Sequence, residues 1–344
     1  MHEGQPRPTP ARTAITVAVT GATGFVGRRV VAELLRRGCA VRALARDSAR
    51  ARESLPAGAP GLRIIEGDLF ENGAMRDLCE DAIAVVHLVG IRRERPGEGV
   101  TFERIHVEGT RAAVRAAQAA GVPRFVHMSA LGVRPTSWVP YAKTKHLAEE
   151  IVRRSGLDWT ILKPSIIHGP DGEFLQMMKG WITRKAPPFL FMPFFYRVAI
   201  VNPQGPIPVA RFETPLVQPV AVEDVARAFA EAIARDSSIG EVYELGGPDA
   251  MTWPEMLRAA RDAFEGRVAG ASTGIDAWGI PHHAGMAAAI MARAVGLDPL
   301  LPFGLSEAVM GSEDNVCRND KAAEHLGFAP RPFADTVRAY ASRV

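Results

Sequence analysis

The sequence has few of the features that mark several protein classes. It has three cysteines in 344 residues (Cys39, Cys79 and Cys317) and no CxxC pair, which excludes a disulfide scaffold and a zinc ribbon. No apolar run reaches the ~18 residues of a membrane span, although peripheral membrane contact stays open. The net charge is only +3, which gives no footprint for nucleic acid. A reducing, cytoplasmic setting fits, and no metal site is predicted.

Composition and length indicate an ordinary globular protein. Hydrophobic residues make up 47% and charged residues 23%, which excludes disorder as the main state. Residues 1–13 are polar and Pro-rich without a signal-peptide core, so we expect a flexible tail there. At ~150 residues per domain the length suggests two domains. We place a dinucleotide-binding domain at 14–165 and a substrate or lid lobe at 166–344.

The first half alternates apolar runs with helical patterns. This alternation predicts βαβ units and an α/β fold, a doubly wound, Rossmann-like parallel sheet. The second half is less regular, and we expect a smaller lobe there, partly interleaved with the first domain. The predicted strands are Ile15–Thr20, Ala40–Ala45, Leu62–Glu66, Ile83–Val89, Arg124–Met128, Trp159–Leu162 and Glu241–Leu245, and the predicted helices are Gly24–Arg37, Asn72–Glu80, Phe102–Ala120, Tyr141–Ser155, Leu175–Lys185, Glu223–Arg235, Trp253–Phe264 and Ala284–Val295.

A glycine-rich turn follows the first predicted strand, with the spacing GxxGxxG from Gly21 to Gly27. Gly21 permits a tight turn, Gly24 lets the backbone approach a pyrophosphate, and Gly27 lets the helix pack closely. The alternative is a purely structural turn. The cofactor-binding residues predicted here are Gly21, Thr23, Gly24, Phe25, Val26 and Gly27.

With its leading Thr20, this turn resembles the TGxxGxxG fingerprint of the extended and atypical short-chain dehydrogenase/reductases. Further landmarks resemble the atypical members related to the nucleotide-binding accessory subunit of respiratory complex I, over about residues 14–265. The landmarks are Phe102–Thr110, Arg124–Gly132, Gly156–Ser165, Gln218–Val220 before Glu223–Ala226, and Tyr243–Pro248. In that subunit the nucleotide is structural, whereas free-standing relatives are reductases or epimerases, so the resemblance implies cofactor binding more directly than turnover.

The end of the second predicted strand bears on cofactor choice. An acid there binds the ribose of NAD, and an arginine accepts the 2′-phosphate of NADP. Arg46 comes first and Asp47 second, with Arg28 as a possible further cation. We therefore favour NADP(H) over NAD(H). The alternative is that Arg46 is a solvated charge and Asp47 binds the ribose.

Other strand ends complete the predicted cofactor site. The resemblance implies that Asp68 and Leu69 bracket the adenine, with a helix N-cap as the alternative for Asp68. Leu88, Val89 and Gly90 close the fourth strand at its carboxyl end, where ligands bind in such sheets. The resemblance also implies that the segment from Pro164 to Ile167 contacts the nicotinamide end, with a simple strand stop as the alternative.

Tyr141 and Lys145 form a YxxxK pair. On a helix they share one face, so the ammonium can stabilise a phenolate and lower its pKa, and the lysine can hold the nicotinamide ribose. With 4 tyrosines and 6 lysines, a chance pair arises in roughly 7% of such sequences. Ser129 ends the fifth strand and can donate to the substrate oxygen, or it is a turn residue. The predicted catalytic residues are Ser129, Tyr141 and Lys145.

His106 stands where many extended members carry an asparagine that supports the active-site lysine through water. This histidine either replaces the asparagine or has no catalytic duty, and the sequence leaves both open. His282 and His283 are adjacent but lack spaced partners for a metal.

Two classes of function follow. The first is an NADP(H)-dependent oxidoreductase or epimerase that acts on a carbonyl or alcohol. Its aromatic segment Pro187–Tyr196 is either a lid for a bulky hydrophobic substrate or ordinary core. The second is a nucleotide-binding scaffold that docks on a partner or membrane surface. Neither predicts an oligomeric state.

Overall fold

The computed structural model describes residues 15–56, 58–201, 209–271, 274–294, 296, 301 and 303–344, so the tail predicted at 1–13 lies outside the described residues. The strands are β1 Thr16–Thr20, β2 Ala40–Ala45, β3 Leu62–Glu66, β4 Ala84–His87, β5 Arg124–Met128, β6 Asp158–Pro164, β7 Ile167–His168, β8 Met192–Val201, β9 Val209–Glu213, β10 Leu216–Val217, β11 Val220–Ala221, β12 Glu241–Leu245, β13 Met251–Thr252 and β14 Ala277–Pro281. The α-helices are α1 Phe25–Arg36, α2 Ser48–Ser54, α3 Asn72–Cys79, α4 Gly109–Ala119, α5 Pro140–Arg153, α6 Glu173–Ile182, α7 Val222–Ala234, α8 Trp253–Phe264, α9 His282–Ala294, α10 Leu305–Met310, α11 Asp320–Leu326 and α12 Phe333–Tyr340.

Seven parallel strands form the central sheet in the order β12-β6-β5-β4-β1-β2-β3. This confirms the predicted Rossmann-like fold. β1 has β2 on one side and β4 on the other, so the strand order reverses at β1. In such sheets the ligand crevice opens at the carboxyl ends of the strands beside that reversal. β12 comes from the second half of the chain and pairs with β6. The domain boundary at residue 165 stays a prediction.

Helices cover both faces of this sheet because successive side chains of each strand point to opposite sides. On one face Val17 and Val19 of β1 pack with α1 and α7. On the other face Ala18 of β1 and Val85 of β4 pack with α3 and α4. Burial on both faces explains why these strands are apolar almost without interruption.

The helix predicted at 102–120 begins with a turn that the sequence does not reveal. Glu103–Glu108 form a π-helical turn, in which the Gly109 N–H bonds the Arg104 carbonyl, and α4 follows. Such turns are rare and frequent at functional sites. The turn carries His106 to the end of β4, where the Ile91 N–H donates to its Nε2.

The second half contains more regular structure than its sequence indicates. β8 pairs in parallel with β14 and antiparallel with β9 to form a three-stranded sheet. Prolines at 187, 188 and 193 obscured β8, because proline is rare in strand interiors. A separate core of α6, α8 and α12 side chains packs beside this sheet. Within the described residues, no helix combines the length and the apolarity that crossing a bilayer requires.

Candidate functional site

The glycine turn lies against the carboxyl end of β4. Gly21 has a φ of +71°, and a Cβ on it would lie 3.1 Å from the Leu88–Val89 backbone. A Cβ on Gly27 would lie 2.1 Å from the Gly21 carbonyl oxygen, so a larger residue requires the backbone to move. Thr23 and Gly24 are exposed at the amino end of α1. The turn therefore leaves room and N–H groups for a phosphate at the positive end of a helix.

The first turn of α1 is partly covered by the segment that precedes α6. Val26 is buried in the core. The Phe25 ring lies against Gly169 and Gly172, whose Cβ atoms would come within 3.0 Å and 2.7 Å of it. Phe25 thus joins the glycine turn to the second half of the chain.

The end of β2 presents Arg46 as an exposed cation. Asp47 caps α2, because its Oδ1 accepts a hydrogen bond from the Arg50 N–H at 3.0 Å. Arg28 donates to Asp171 at 2.6 Å. Asp47 and Arg28 therefore already have partners of their own, whereas Arg46 is exposed at the end of β2.

Asp68 and Leu69 follow β3. Asp68 Oδ1 accepts from the Phe70 N–H at 3.0 Å in a local turn, whereas the N-cap of α3 is Glu71. Leu69 is buried, with its Cδ2 2.8 Å from where a Cβ on Gly109 would lie. The alternative role of Asp68 as a helix N-cap is not what the structure shows.

The end of β4 brings the glycine turn and Lys145 together. Gly90 is exposed, and a Cβ on it would lie 3.2 Å from Lys145 Nζ. The same ammonium donates to the Met128 carbonyl of β5 at 2.9 Å. Because Gly21 touches Leu88–Val89, the turn, the end of β4 and the lysine form one continuous strip.

Tyr141 lies on α5 one turn before Lys145. Its ring meets Phe102 and His106 edge-on, with ring centroids 5.7 Å and 5.5 Å apart. The half-buried phenol therefore sits between the lysine strip and an apolar wall. Tyr141 packs at the border of a small apolar core of Val139, Ala142 and Val309, which Met286, Leu305 and Met310 also contact.

Burial moves the pKa values of this pair in opposite directions. It raises the pKa of Tyr141 to about 12, while Arg92 lowers it and Glu307 raises it. Burial lowers the pKa of Lys145 to about 8, against the attraction of Glu149. The phenol pKa thus shifts opposite to the sequence-based expectation, because the loss of water around a phenolate outweighs the neighbouring charges.

Ser129 is committed to a buried carboxylate. Its hydroxyl donates to Glu149 Oε1 at 2.5 Å, and both side chains are at most 3% exposed. Glu149 also meets Lys163 at 3.2 Å and Arg153 at 3.0 Å. A substrate oxygen would have to compete with Glu149 for the single hydroxyl proton.

His106 joins the end of β4 to α5 as a neutral ring. Burial and then Lys145 lower its pKa to about 3. His106 Nδ1 lies 2.9 Å from Thr144 Oγ1, and Nε2 lies 3.1 Å from both the amide nitrogen and the carbonyl oxygen of Ile91. Both ring nitrogens are thereby used in holding α5 beside the strip.

Pro164 and Ile167 lie at and just after the carboxyl end of β6, the strand next to β5 in the central sheet. Pro164 is the buried last residue of β6, and Ile167 is half-buried in β7 beside Val220 of β11. Sequence reasoning missed Glu149, which lies one turn beyond Lys145. The i, i+4 spacing that singled out Tyr141 and Lys145 would have found Glu149 as well.

Comparison with known proteins agrees with a nucleotide site. A family model described as NAD(P)H-binding matches residues 21–180. The ceramide reductase of Caulobacter vibrioides is 31% identical over 252 residues, which cover 71% of this chain and 69% of that protein. The mitochondrial 40 kDa subunit of NADH-ubiquinone oxidoreductase from Neurospora crassa is 28% identical over 242 residues. The match covers 70% of this chain and 58% of the subunit, so the chain spans little more than half of that relative.

A solved structure shows the same fold. The NADPH-dependent quinone oxidoreductase QOR2 of Escherichia coli, complexed with NADPH, superposes with a TM-score of 0.67 and covers 94% of this chain and 99% of its own. At 20% identity this likeness concerns the fold alone.

Proposed function

Because this chain belongs to the NAD(P)H-binding short-chain dehydrogenase/reductase family, with relatives among complex I subunits and bacterial reductases, we propose that it is a reductase, dehydrogenase or epimerase. Its substrate is the carbonyl or alcohol of a small hydrophobic molecule. One observation carries the proposal: Lys145 Nζ faces Gly90 beside the glycine turn, and Tyr141 lies one helical turn away.

The residues present fit a dinucleotide. Side-chain atoms at Gly21 or Gly27 would fall 3.1 Å or less from backbone atoms, so the tight turn requires glycine there. The exposed Thr23 and Gly24 at the amino end of α1 leave room for a pyrophosphate. Arg46 would face the adenosine ribose, with Asp68 and Leu69 at the adenine. Because Arg46 is exposed while Asp47 caps a helix, NADP(H) is favoured over NAD(H).

Tyr141 is the proton donor of the proposed reaction. When bound, a reduced nicotinamide supplies the hydride to the carbonyl carbon. With a pKa raised to about 12, Tyr141 is protonated at pH 7 and can give its proton to the carbonyl oxygen, which completes the alcohol. With a pKa of about 8, Lys145 is mostly charged at pH 7 and can hold the ribose hydroxyls beside Gly90. Ser129 assists only where the substrate oxygen displaces Glu149.

The surroundings of Tyr141 support an apolar substrate. Tyr141 shares one apolar cluster with Leu305, Val309 and Met310 of the C-terminal segment and with Met286 of α9. The relation to a ceramide reductase supports a lipid-like carbonyl substrate.

The decisive experiment compares Tyr141→Phe with the wild type in NADPH binding and in turnover of a panel of lipid ketones. We expect turnover to fall about 10²–10⁴-fold, because a phenyl ring has no proton to give. NADPH affinity should stay within a few-fold. Tyr243→Phe is the matched control, since its hydroxyl bonds His325 at the far edge of the sheet. Full activity in Tyr141→Phe would remove the acid role, and failure to bind either nucleotide would remove the whole proposal.

Cofactor preference is tested at Arg46. Arg46→Ala should weaken NADPH about 10–100-fold, because a charged hydrogen bond to the phosphate is lost, and should leave NADH unchanged. Arg50→Ala, an exposed neighbour on α2, is the control. Isothermal titration with both nucleotides measures the effect. An equal loss for NADH and NADPH would contradict 2′-phosphate recognition.

A nucleotide-binding scaffold is the second candidate. It is supported by the relation to a complex I subunit and by the engagement of Ser129 with Glu149. Under this alternative the protein binds NADPH but turns over no ketone, and Tyr141→Phe changes neither property. The experiment on Tyr141 therefore separates the two.

A further inference from the structure

β8 and β9 form a hairpin with one face that is apolar throughout. Val198 pairs with Phe212 and Ile200 pairs with Ala210, so these side chains share a face with Tyr196. The rings of Tyr196 and Phe212 meet edge-on, with centroids 5.4 Å apart. We call these five residues the hairpin face. Phe212 is 67% exposed and Ile200 is 62% exposed, so the described residues leave much of this face open.

The opposite face of the hairpin carries its charges. Arg197 forms ion pairs with Glu213 at 3.7 Å and with Asp314 at 3.5 Å. Arg211 lies opposite Ala199 and is exposed. The opposite face is therefore mixed, because it also carries Ala199 and the exposed Val201 and Val209. Its charges are confined to this face, whereas the hairpin face has none.

A long stretch of sequence that ends just before Glu213, the last residue of β9, has no negative charge. From residue 174 to residue 212 there is no Asp or Glu, whereas 38 acids in 344 residues would place about four in such a stretch. The same stretch contains five basic residues. They are Lys179, Arg184, Lys185, Arg197 and Arg211.

The segment that leads into β8 also combines exposed cations with exposed apolar side chains. Arg184 and Lys185 are exposed, and they precede Phe189 and Leu190, which are 48% and 73% exposed. Cations beside exposed aromatic and aliphatic side chains are typical of elements that lie at a lipid–water boundary.

We propose that the hairpin face lies on the surface of an anionic lipid bilayer. The apolar side chains enter the boundary between headgroups and acyl chains, and Arg211, Arg184 and Lys185 bind lipid phosphates. A second copy of this chain fits less well, because its hairpin would bring the same positive charges together. This placement needs no bound nucleotide and stands apart from the proposed reaction.

The test is co-sedimentation of the full chain with vesicles. Phosphatidylcholine vesicles that contain phosphatidylglycerol should bind the protein, and pure phosphatidylcholine vesicles should bind it markedly less. High salt should weaken binding, because the lipid charge is screened. No nucleotide or substrate is added, so the result is independent of turnover.

Variants connect binding to the hairpin face. Phe212→Ser should weaken vesicle binding about tenfold or more through lost apolar burial, and Arg211→Gln about fivefold. Ile239→Ser and Arg318→Gln change an exposed apolar residue and an exposed cation elsewhere, and should bind like the wild type. In Phe212→Trp, a blue shift of the added tryptophan fluorescence on anionic vesicles would show insertion of this position.

Three results would overturn the proposal. The first is no binding to anionic vesicles. The second is wild-type binding by a folded Phe212→Ser variant. The third is a dimer in sedimentation equilibrium that Phe212→Ser dissociates, because the hairpin face would then be covered by a second copy.

Discussion

The central sheet and the three-stranded sheet differ in how their strands are covered. All four residues of β4 are buried, whereas four of the five residues of β9 are exposed. Helices cover the central strands on both faces, but β9 lies at the edge of its sheet, where β8 is its one partner among the described residues. Apolar character therefore marks a strand in both regions, while burial depends on what packs against it.

This difference separates two kinds of surface. On the central sheet, backbone contacts such as Gly21 against Leu88–Val89 fix the positions of atoms in the candidate site, as the proposed reaction requires. On the hairpin, Ile200 and Phe212 are largely exposed, as the proposed contact with lipid requires. The closely packed candidate site and the exposed apolar surface therefore lie in different parts of the chain.

The largest expected effect is that of Gly27→Ala in the rigid region. The new Cβ would lie 2.1 Å from the Gly21 carbonyl oxygen and 2.8 Å from that of Ala22. Backbone atoms cannot yield as a flexible side chain can, so we expect a loss of more than about 4 kcal/mol of unfolding free energy, or failure to fold. Urea denaturation followed by circular dichroism measures it.

Gly73→Ala is the matched control. Gly73 lies in α3 with no atom within 4 Å of its built Cβ, so alanine should be neutral or stabilise by up to about 1 kcal/mol. Comparable stability of the two variants would show that α1 does not pack against the glycine turn as described.

Several features of the site could be predicted because they depend on local spacing. The glycine turn and the YxxxK pair need only a strand–turn–helix and one helix face. The π-helical turn at His106 could not be predicted in this way. His106 makes hydrogen bonds with Ile91 and Thr144, which are distant from it in sequence. The Ser129–Glu149 contact likewise depends on how α5 packs against β5. The strand β8 was missed because Pro193 lies within it and because apolar side chains such as Phe195 and Ile200 occur on both of its faces, so it lacks an alternation of apolar and polar residues.

At acid pH we expect a loss of unfolding free energy of intermediate size, because a buried histidine takes up a proton less readily than the same residue in the unfolded chain. His168 is fully buried, and burial and then Arg331 lower its pKa to about 3. The unfolded chain binds a proton below about pH 6.5 while the folded chain does not. This stabilisation is complete above that pH and is lost as the pH falls toward 3, by about 1.4 kcal/mol per pH unit.

In His168→Phe the unfolded chain binds one proton fewer in acid, so the unfolding free energy should fall less steeply with pH. The phenyl ring would pack against Phe333 as the imidazole does. Stability curves of variant and wild type should run parallel between pH 7 and 8 and diverge between pH 6 and 4. An unchanged slope in acid would mean that His168 is protonated in the folded chain.

The smallest expected effect is that of Phe212→Ala, measured without lipid against Phe125→Ala. Both phenylalanines lie in strands, but Phe125 of β5 is 0% exposed and Phe212 is 67% exposed. Phe125→Ala should cost about 3–5 kcal/mol through a cavity in the central core. Phe212→Ala should cost at most about 1 kcal/mol, since mainly its edge contact with Tyr196 is lost. Similar losses in urea denaturation would mean that the hairpin face is covered within the free chain, and the contrast between the two sheets would fail.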